Sequence, residues 1–372
     1  MVKILHTADA HLDAPFKSLG PHKGTAQRKQ VRETFKRVVQ KANDEGFDLL
    51  LIAGDLFDSN RPSQRSMDIV AEELKRLRLP VCILPGSHDR YSDSSIYRRA
   101  DFVQLPHVHL FAHPVRPFIR FDKLDLTVYG QPCQGPAFPP LKGLRPISDS
   151  RWHVAMAHGS VLRGDIGEAE YPIQPSEIAN SGMDYIALGH WHSFGDYSQG
   201  SVRAYYSGSP EMIDMDQAGA GYIAIVELDD SGVRVSRERV GTRRLVELSV
   251  DLEGRTGNPE VKEVIFGQQP PDPDLVLAVT LTGLSEIEST LDVDRLREEL
   301  MECFFFVRIV NKSHPKLADI SVEDYPPNTI LGKFVRLMRE RIEESGNEKE
   351  RRIAERALQL GVHLLQGKEV LR

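Results

Sequence analysis

The sequence predicts an α/β layered domain over residues 1–241, then a small α+β unit over 242–325 and a helical segment over 326–372. Three observations predict this. Short apolar runs alternate with helical patterns up to about residue 190, the pattern changes near residue 242, and beyond Pro326–Pro327 apolar residues recur only at helical spacing. A chain of 372 residues exceeds one ordinary domain, so two or three compact units are expected.

Val2–Leu5 is the first predicted strand. Within Ala26–Asn43, Val31, Phe35, Val38, Val39 and Ala42 recur at helical spacing, and Gly46 supplies a stop just beyond. Leu49–Ala53 is a continuous apolar run, the pattern of a strand buried on both faces. Ser63 opens a second helix carrying Met67, Val70, Ala71, Leu74 and Leu77, stopped by Pro80, and Val81–Leu84 is the next strand. Further strands are predicted at Leu126–Tyr129, His153–Ala157, Tyr185–Leu188, Val202–Tyr206 and Tyr222–Glu227, with the Pro- and Gly-rich stretch 130–146 as a surface loop. In the second part, strands at Leu245–Val250, Leu275–Leu281 and Phe304–Val310 accompany a helix at Val293–Met301. Near the end, Ile330, Leu331, Phe334, Val335 and Met338 line one apolar stripe, and Ile353, Ala354, Ala357, Leu358 and Leu364 line another.

Hydrophobic residues at 40% and charged residues at 27% give the balance of a soluble globular protein. No apolar run reaches the ~18–20 residues that span a bilayer, and no signal peptide precedes the first strand, so a cytoplasmic chain without membrane contact is expected. Cys82, Cys133 and Cys303 lack metal-type spacing and read as reduced, buried thiols. A net charge of −7 counts against broad, non-specific nucleic-acid binding but leaves room for a local basic patch.

Five polar clusters each follow an apolar, strand-like run: Asp9-Ala-His11, Gly54-Asp55-Leu-Phe-Asp58, Gly86-Ser87-His88-Asp89, His158-Gly159 and Gly189-His190-Trp-His192. In an open α/β sheet, ligands bind beyond the carboxyl ends of the strands, so all five are expected on one rim. Carboxylate with imidazole suits manganese, iron or zinc better than the all-oxygen shells of calcium or magnesium. Two such ions about 3.5–4 Å apart can activate a water and clamp a phosphate. Asp55 is the candidate bridge by position, and His88 is suited to protonate a leaving oxygen. His107, His109 and His113 fall in a predicted hairpin and edge-strand region, while His22, His314 and His363 are isolated; none is assigned to the site.

In these five motifs the sequence resembles the calcineurin-like metallophosphoesterases. Within them, His6–Phe16, Ala53–Ser63 and Tyr206–Glu211 look like the SbcD and YhaO branch of DNA-repair exonucleases. The resemblance implies a layered sandwich of β-sheets flanked by helices, a capping domain at 242–325, and a helical segment at 326–372 that docks on an SbcC-type coiled-coil ATPase. It implies one metal held by Asp9, His11, Asp55 and His192, and a second by Asp55, His158, His190 and the third-motif residue. The ions are expected to be manganese, with iron, zinc and magnesium as alternatives. It further implies that His88 acts in catalysis, oriented by Asp58. Arg61 and Arg90 are candidates for phosphate contact, with Arg65, Arg98 and Arg99 extending a basic rim. One position departs from the pattern: Ser87 stands where the family has asparagine, so a weaker second metal site is expected. The function expected is a manganese-dependent DNA nuclease, a 3′-to-5′ exonuclease with endonuclease action as an extension, partnered by DNA and the ATPase, with a homodimer left open. The alternatives are a small-molecule phosphodiesterase or phosphatase, and a DNA-end tether with weak catalysis.

Overall fold

The structure, a computed structural model, describes residues 1–112, 118–162, 170–285, 290–315, 320 and 322–367, so His113 lies outside the described residues. The first strands are β1 (Val2–Thr7), β2 (Leu49–Ala53), β3 (Val81–Leu84) and β4 (Val108–Leu110), with α1 (Gly20–Asp44) and α2 (Gln64–Arg76) between them. Then come β5 (Phe118–Phe121), β6 (Leu126–Gly130), β7 (Trp152–His158), β8 (Ser160–Val161), β9 (Pro172–Ile173), α3 (Pro175–Ala179) and β10 (Tyr185–Gly189). They are followed by β11 (Gly195–Asp196), β12 (Arg203–Tyr206), β13 (Tyr222–Asp229) and β14 (Gly232–Arg239).

Two six-stranded sheets result, ordered β14-β13-β1-β2-β3-β4 and β11-β12-β10-β7-β6-β5. Strands β1 to β4 are mutually parallel, as are β6, β7, β10 and β12, while the remaining pairs are antiparallel. The sheets pack face to face. Leu49, Leu51 and Ala53 of β2 meet Val154 and Met156 of β7 and Tyr185 and Ala187 of β10 in one core. The alternate residues Leu50 and Ile52 point the other way, into a core with Val31, Phe35 and Val38 of α1 and Val70 and Leu74 of α2. That two-sided burial explains why β2 reads as an unbroken apolar run. The opposite face of the second sheet is covered by Leu141, Leu144 and Ile178. The expected α/β sandwich of sheets flanked by helices is therefore observed.

Local chemistry accounts for most boundaries. Ser63 caps α2, its hydroxyl accepting from the Ser66 amide at 3.3 Å. Helix α1 starts earlier than Ala26, because Pro21 sits in its first turn, where the missing N–H costs nothing. Strand β14 (GVRVSRER) escapes the apolar pattern because it is a polar edge strand.

The chain divides into two compact units. The first comprises Met1–Val246, Asp272–Val276 and Phe304–Phe306, and the second Glu247–Pro271, Leu277–Cys303 and Val307–Arg372. The later elements are β15 (Arg244–Asp251), α4 (Asn258–Gln268), β16 (Asp272–Thr282), β17 (Leu284–Ser285), α5 (Val293–Met301), β18 (Phe304–Asn311), β19 (His314–Pro315), α6 (Ile330–Glu343) and α7 (Glu348–Leu365). Strands β15, β16 and β18 form a three-stranded sheet. In the second unit the two C-terminal stripes pack on each other: Val335 and Ile342 of α6 bury against Ala354, Leu358 and Val362 of α7. Ile330, Leu337, Ile353, Leu364 and Leu365 stay exposed. Among the described residues no helix is long and apolar enough to cross a membrane.

Candidate metal centre

Parallel strands from both sheets end at one place. Asp9 and His11 follow β1, Asp55 and Asp58 follow β2, and Ser87 and His88 follow β3. His158 is the last residue of β7, and His190 and His192 follow β10. The first two loops are stitched together by backbone hydrogen bonds of 3.0 Å from Asp9 N to Gly54 O, His11 N to Asp55 O and Leu12 N to Leu56 O. Glycine is required where chains cross closely. A Cβ on Gly86 would lie 2.2 Å from Asp55 Oδ1, and one on Gly189 would lie 1.9 Å from the Ala53 carbonyl.

The backbone here is strained. Asp9, His11, Asp55 and His190 have φ of 55°, 44°, 51° and 105°, a region that L residues rarely adopt. Each such residue costs about 1–3 kcal/mol, so the surrounding sheets must hold the loops in place, as is common where side chains are aimed at a ligand.

Three imidazoles share one arrangement. His11 Nδ1 donates to Asp58 Oδ1 at 3.1 Å, His192 Nδ1 to Asp214 Oδ2 at 3.1 Å, and His158 Nδ1 to the Ala53 carbonyl at 3.0 Å. Each partner takes the Nδ1 hydrogen and turns Nε2 inward, where a cation can replace its proton. His11 Nε2 and His192 Nε2 then lie 3.1 Å apart, two lone pairs that only a shared proton or a cation reconciles. His158 Nε2 faces Asp55 Oδ2 at 3.1 Å. The Ser87 hydroxyl donates to that same oxygen at 3.1 Å and lies 3.4 Å from His158 Nε2. Asp55 Oδ1 accepts from the His88 amide at 2.8 Å, and the Asp9 carboxylate accepts from the His190 amide at 2.9 and 3.0 Å.

Among the described residues, three groups bring single ligand atoms within 4.8 Å of one another: Asp9, His11 and His192; Asp9, Asp55 and His158; and His11, Asp58 and His88. Buried carboxylates with inward-facing imidazole nitrogens form a donor set that fits divalent transition ions. Asp9 and Asp55 are buried with His158. Burial opposes ionisation of Asp55, but the charges of His158, His11 and His88 hold its carboxyl far below the usual range. Burial raises the Asp9 carboxyl. For His158, burial pulls downward, but the Asp55 charge prevails and pushes the imidazole up to about 9. His190 is pushed down to about 4 by burial and by His158, whose ring centroid is 5.2 Å away. His190 joins none of the three groups.

The calcineurin-like phosphoesterase family matches residues 2–194. The chain belongs to that family. The enzyme class expected from the motifs, a metal-dependent phosphoesterase, is the class of this family. The chain is 28% identical over 235 residues to the uncharacterized metallophosphoesterase YhaO of Bacillus subtilis, covering 59% of this chain and 56% of that protein. It is 28% identical over 292 residues to the DNA double-strand break repair protein Mre11 of Methanopyrus kandleri, covering 70% and 62%. It is 24% identical over 238 residues to the D component of the SbcCD nuclease of Staphylococcus epidermidis, covering 56% and 61%. The chain thus spans less than two thirds of the length of each of these relatives.

At this phosphoesterase centre Asp58 contacts two imidazoles in different ways. The Asp58 carboxylate orients His11 and lies 3.8 Å from His88 Nδ1. His88 is held instead by the Asp58 backbone carbonyl, at 3.0 Å, because the turn after β2 presents its carbonyl to one imidazole and its side chain to the other. Arg61 is exposed and Arg90 half-buried, and neither guanidinium has a carboxylate partner among the described residues. Arg98 bonds Ser92 and Asp93 within its own loop, whereas Arg99 ties that loop to the Asn60 carbonyl in the segment after β2. His107 and His109 are spent on the Leu74 carbonyl and the Phe121 ring.

Sequence reasoning gave no role to three carboxylates. Asp214, which orients His192, lies 22 residues downstream of it with no spacing signal. Asp89 is buried and accepts from Gly86 N, Phe57 N and the Tyr97 hydroxyl, tying the second and third motifs together. Glu211, at the end of the Tyr206–Glu211 segment, accepts from the Thr34 hydroxyl and the amides of Met212, Thr242 and Arg243. It braces the scaffold rather than the site.

Proposed function

We propose that this phosphoesterase is a manganese-dependent DNA nuclease, cutting phosphodiester bonds as a 3′-to-5′ exonuclease with endonuclease action as an extension. The observation that carries the reading is the convergence of five strand-end segments into cation-sized groups of carboxylate and imidazole donors. The DNA-repair and nuclease names of two relatives support DNA as the substrate.

Asp9, His11, Asp55 and His192 would hold one ion, and Asp55, His158, His190 and Ser87 the other. Two bound ions supply Lewis acidity toward the phosphate and a water of lowered pKa. The chain's own residues do the rest. Asp58, Asp214 and the Ala53 carbonyl keep three imidazoles in the ligating tautomer. His88, half-exposed and fixed through Nδ1, is placed to deliver a proton to the leaving oxygen. Arg61 and Arg90, without a carboxylate partner among the described residues, are suited to phosphate contact. Residues 242–325 would orient DNA, and residues 326–372 would dock on an SbcC-type ATPase through the apolar residues that α6 and α7 leave exposed. A cytoplasmic location accompanies this reading, and the oligomeric state stays open.

One assay tests it: labelled duplex DNA and an aryl phosphodiester, each with and without manganese, beside Asp55→Ala. Manganese-dependent DNA degradation by the wild type, lost in the variant, is the expected result. Ester cleavage with no DNA degradation would replace the nuclease with a small-molecule phosphodiesterase.

A further inference from the structure

Beside the metal centre, aromatic rings and arginine side chains alternate. In β13 and β14, Ala224 pairs with Arg237 and Tyr222 with Arg239, while Ala224 also pairs with His6 of β1. Both pairings are antiparallel, so β14 runs in the direction of β1, and its last residues reach the end from which Asp9 and His11 emerge. There the Tyr205 and Phe194 rings lie 5.8 Å apart. The Arg237 guanidinium lies 5.7 Å from Phe194 and 4.7 Å from Tyr222, and that of Arg239 lies 5.5 Å from Tyr222. Phe194 follows His192 by two residues, and Trp191, between the two histidines, is 47% exposed. Among the described residues no carboxylate pairs with Arg237, and Arg239 donates only to the Arg243 carbonyl.

Trp191 is half-exposed beside the candidate ligands, and with the neighbouring Phe194 and Tyr205 rings it belongs to a cluster of aromatic groups rather than standing singly. The adjoining ladder offers flat faces and the positive charges of Arg237 and Arg239, with the Asp196 carboxylate beside Tyr205, from whose hydroxyl it accepts at 2.7 Å. Flat faces with positive charge suit a nucleic-acid strand whose bases are unpaired, because in a duplex those faces are already stacked and covered. We propose that Tyr205, Phe194, Arg237, Tyr222 and Arg239, with Trp191 at the end nearest the metals, form a track that holds one unpaired DNA strand and leads its end into the centre. The inference rests on the nuclease reading and adds the form of the substrate: a frayed or single-stranded end.

The test is fluorescence anisotropy of a labelled oligothymidylate of about 12 nucleotides, in EDTA so that nothing is cut. Trp191→Ala is expected to weaken binding by about 5- to 100-fold. Arg237→Lys keeps the charge but loses the planar face, so affinity should fall while the slope of log Kd against log salt stays. Arg237→Gln should lower that slope by about 0.7. Equal binding by the wild type, Trp191→Ala and Arg237→Lys would overturn the track, as would a blunt duplex bound as tightly as the single strand. Manganese-dependent cleavage by the wild type is run alongside. Cleavage with unaltered binding in the variants sinks the track alone, whereas no binding and no cleavage sinks the nuclease reading with it.

Discussion

Asp214→Ala isolates what an orienting carboxylate contributes to the metal grip. Asp214 accepts from His192 Nδ1 at 3.1 Å and is not itself within the cation-sized groups, so its removal leaves every proposed ligand in place. A hydrogen bond to a charged acceptor is worth about 1.5–3 kcal/mol when buried. The Asp214 side chain is 55% exposed, which brings the figure to about 1–1.5 kcal/mol. At 1.4 kcal/mol per decade, manganese affinity should fall about five- to tenfold. Asp58→Ala, whose carboxylate is 25% exposed and holds His11 at the same distance, should cost more, about 10- to 100-fold. Asp214→Asn keeps an acceptor for Nδ1–H and should bind nearly as the wild type does. Isothermal titration with manganese at fixed pH measures all three. Unchanged affinity in Asp214→Ala would refute the reasoning, as would an equal loss in Asp214→Asn, since neither follows if the acceptor sets the tautomer.

Ser87→Asn should tighten the second manganese site and raise phosphodiester hydrolysis, because a carbonyl one bond longer replaces the hydroxyl that now bonds Asp55; a titration in which the weaker site stays unchanged counts against this. Glu211→Gln turns an amide donor toward amides and a hydroxyl that already donate there, so stability should drop by about 2–4 kcal/mol. In a thermal melt that is a fall of about 5–15 °C, and a shift under ~2 °C would contradict the bracing role. Burial pushes the Cys82 and Cys133 thiols up, so at pH 8 both stay protonated and slow toward a disulfide reagent, while half-buried Cys303 reacts first. Three equal rates in the native chain would show the burial to be wrong.

The element pattern was legible because it is a property of neighbouring residues. Leu49–Ala53 needed no partner to read as a strand buried on both faces, and Ser63 announced its helix by its own capping chemistry. The second strand of the β13–β14 hairpin was not legible, since Val233 and Val235 are its only apolar side chains and the rest is as polar as a solvated loop. Helix α4 was missed as well, because its apolar residues Val261, Val264, Ile265 and Phe266 include the run 264–266, which blurs the helical spacing that the buried pair Val261 and Ile265 follows.

For the centre, the sequence alone determined which residue types stand at which strand ends: Asp9 and His11, Asp55, Ser87 and His88, His158, His190 and His192. Strand succession is local, and the rule that ligands meet beyond parallel strand ends does the rest. Only the tertiary structure decided that Asp58 serves His11 with its carboxylate and His88 with its carbonyl, that Asp214 is the partner of His192, and that Asp9, His11, Asp55 and His190 adopt left-handed backbone. Those choices depend on how loops from separate strands are pressed together by two packed sheets, and no periodicity along the chain encodes a contact between residues that the fold alone makes neighbours.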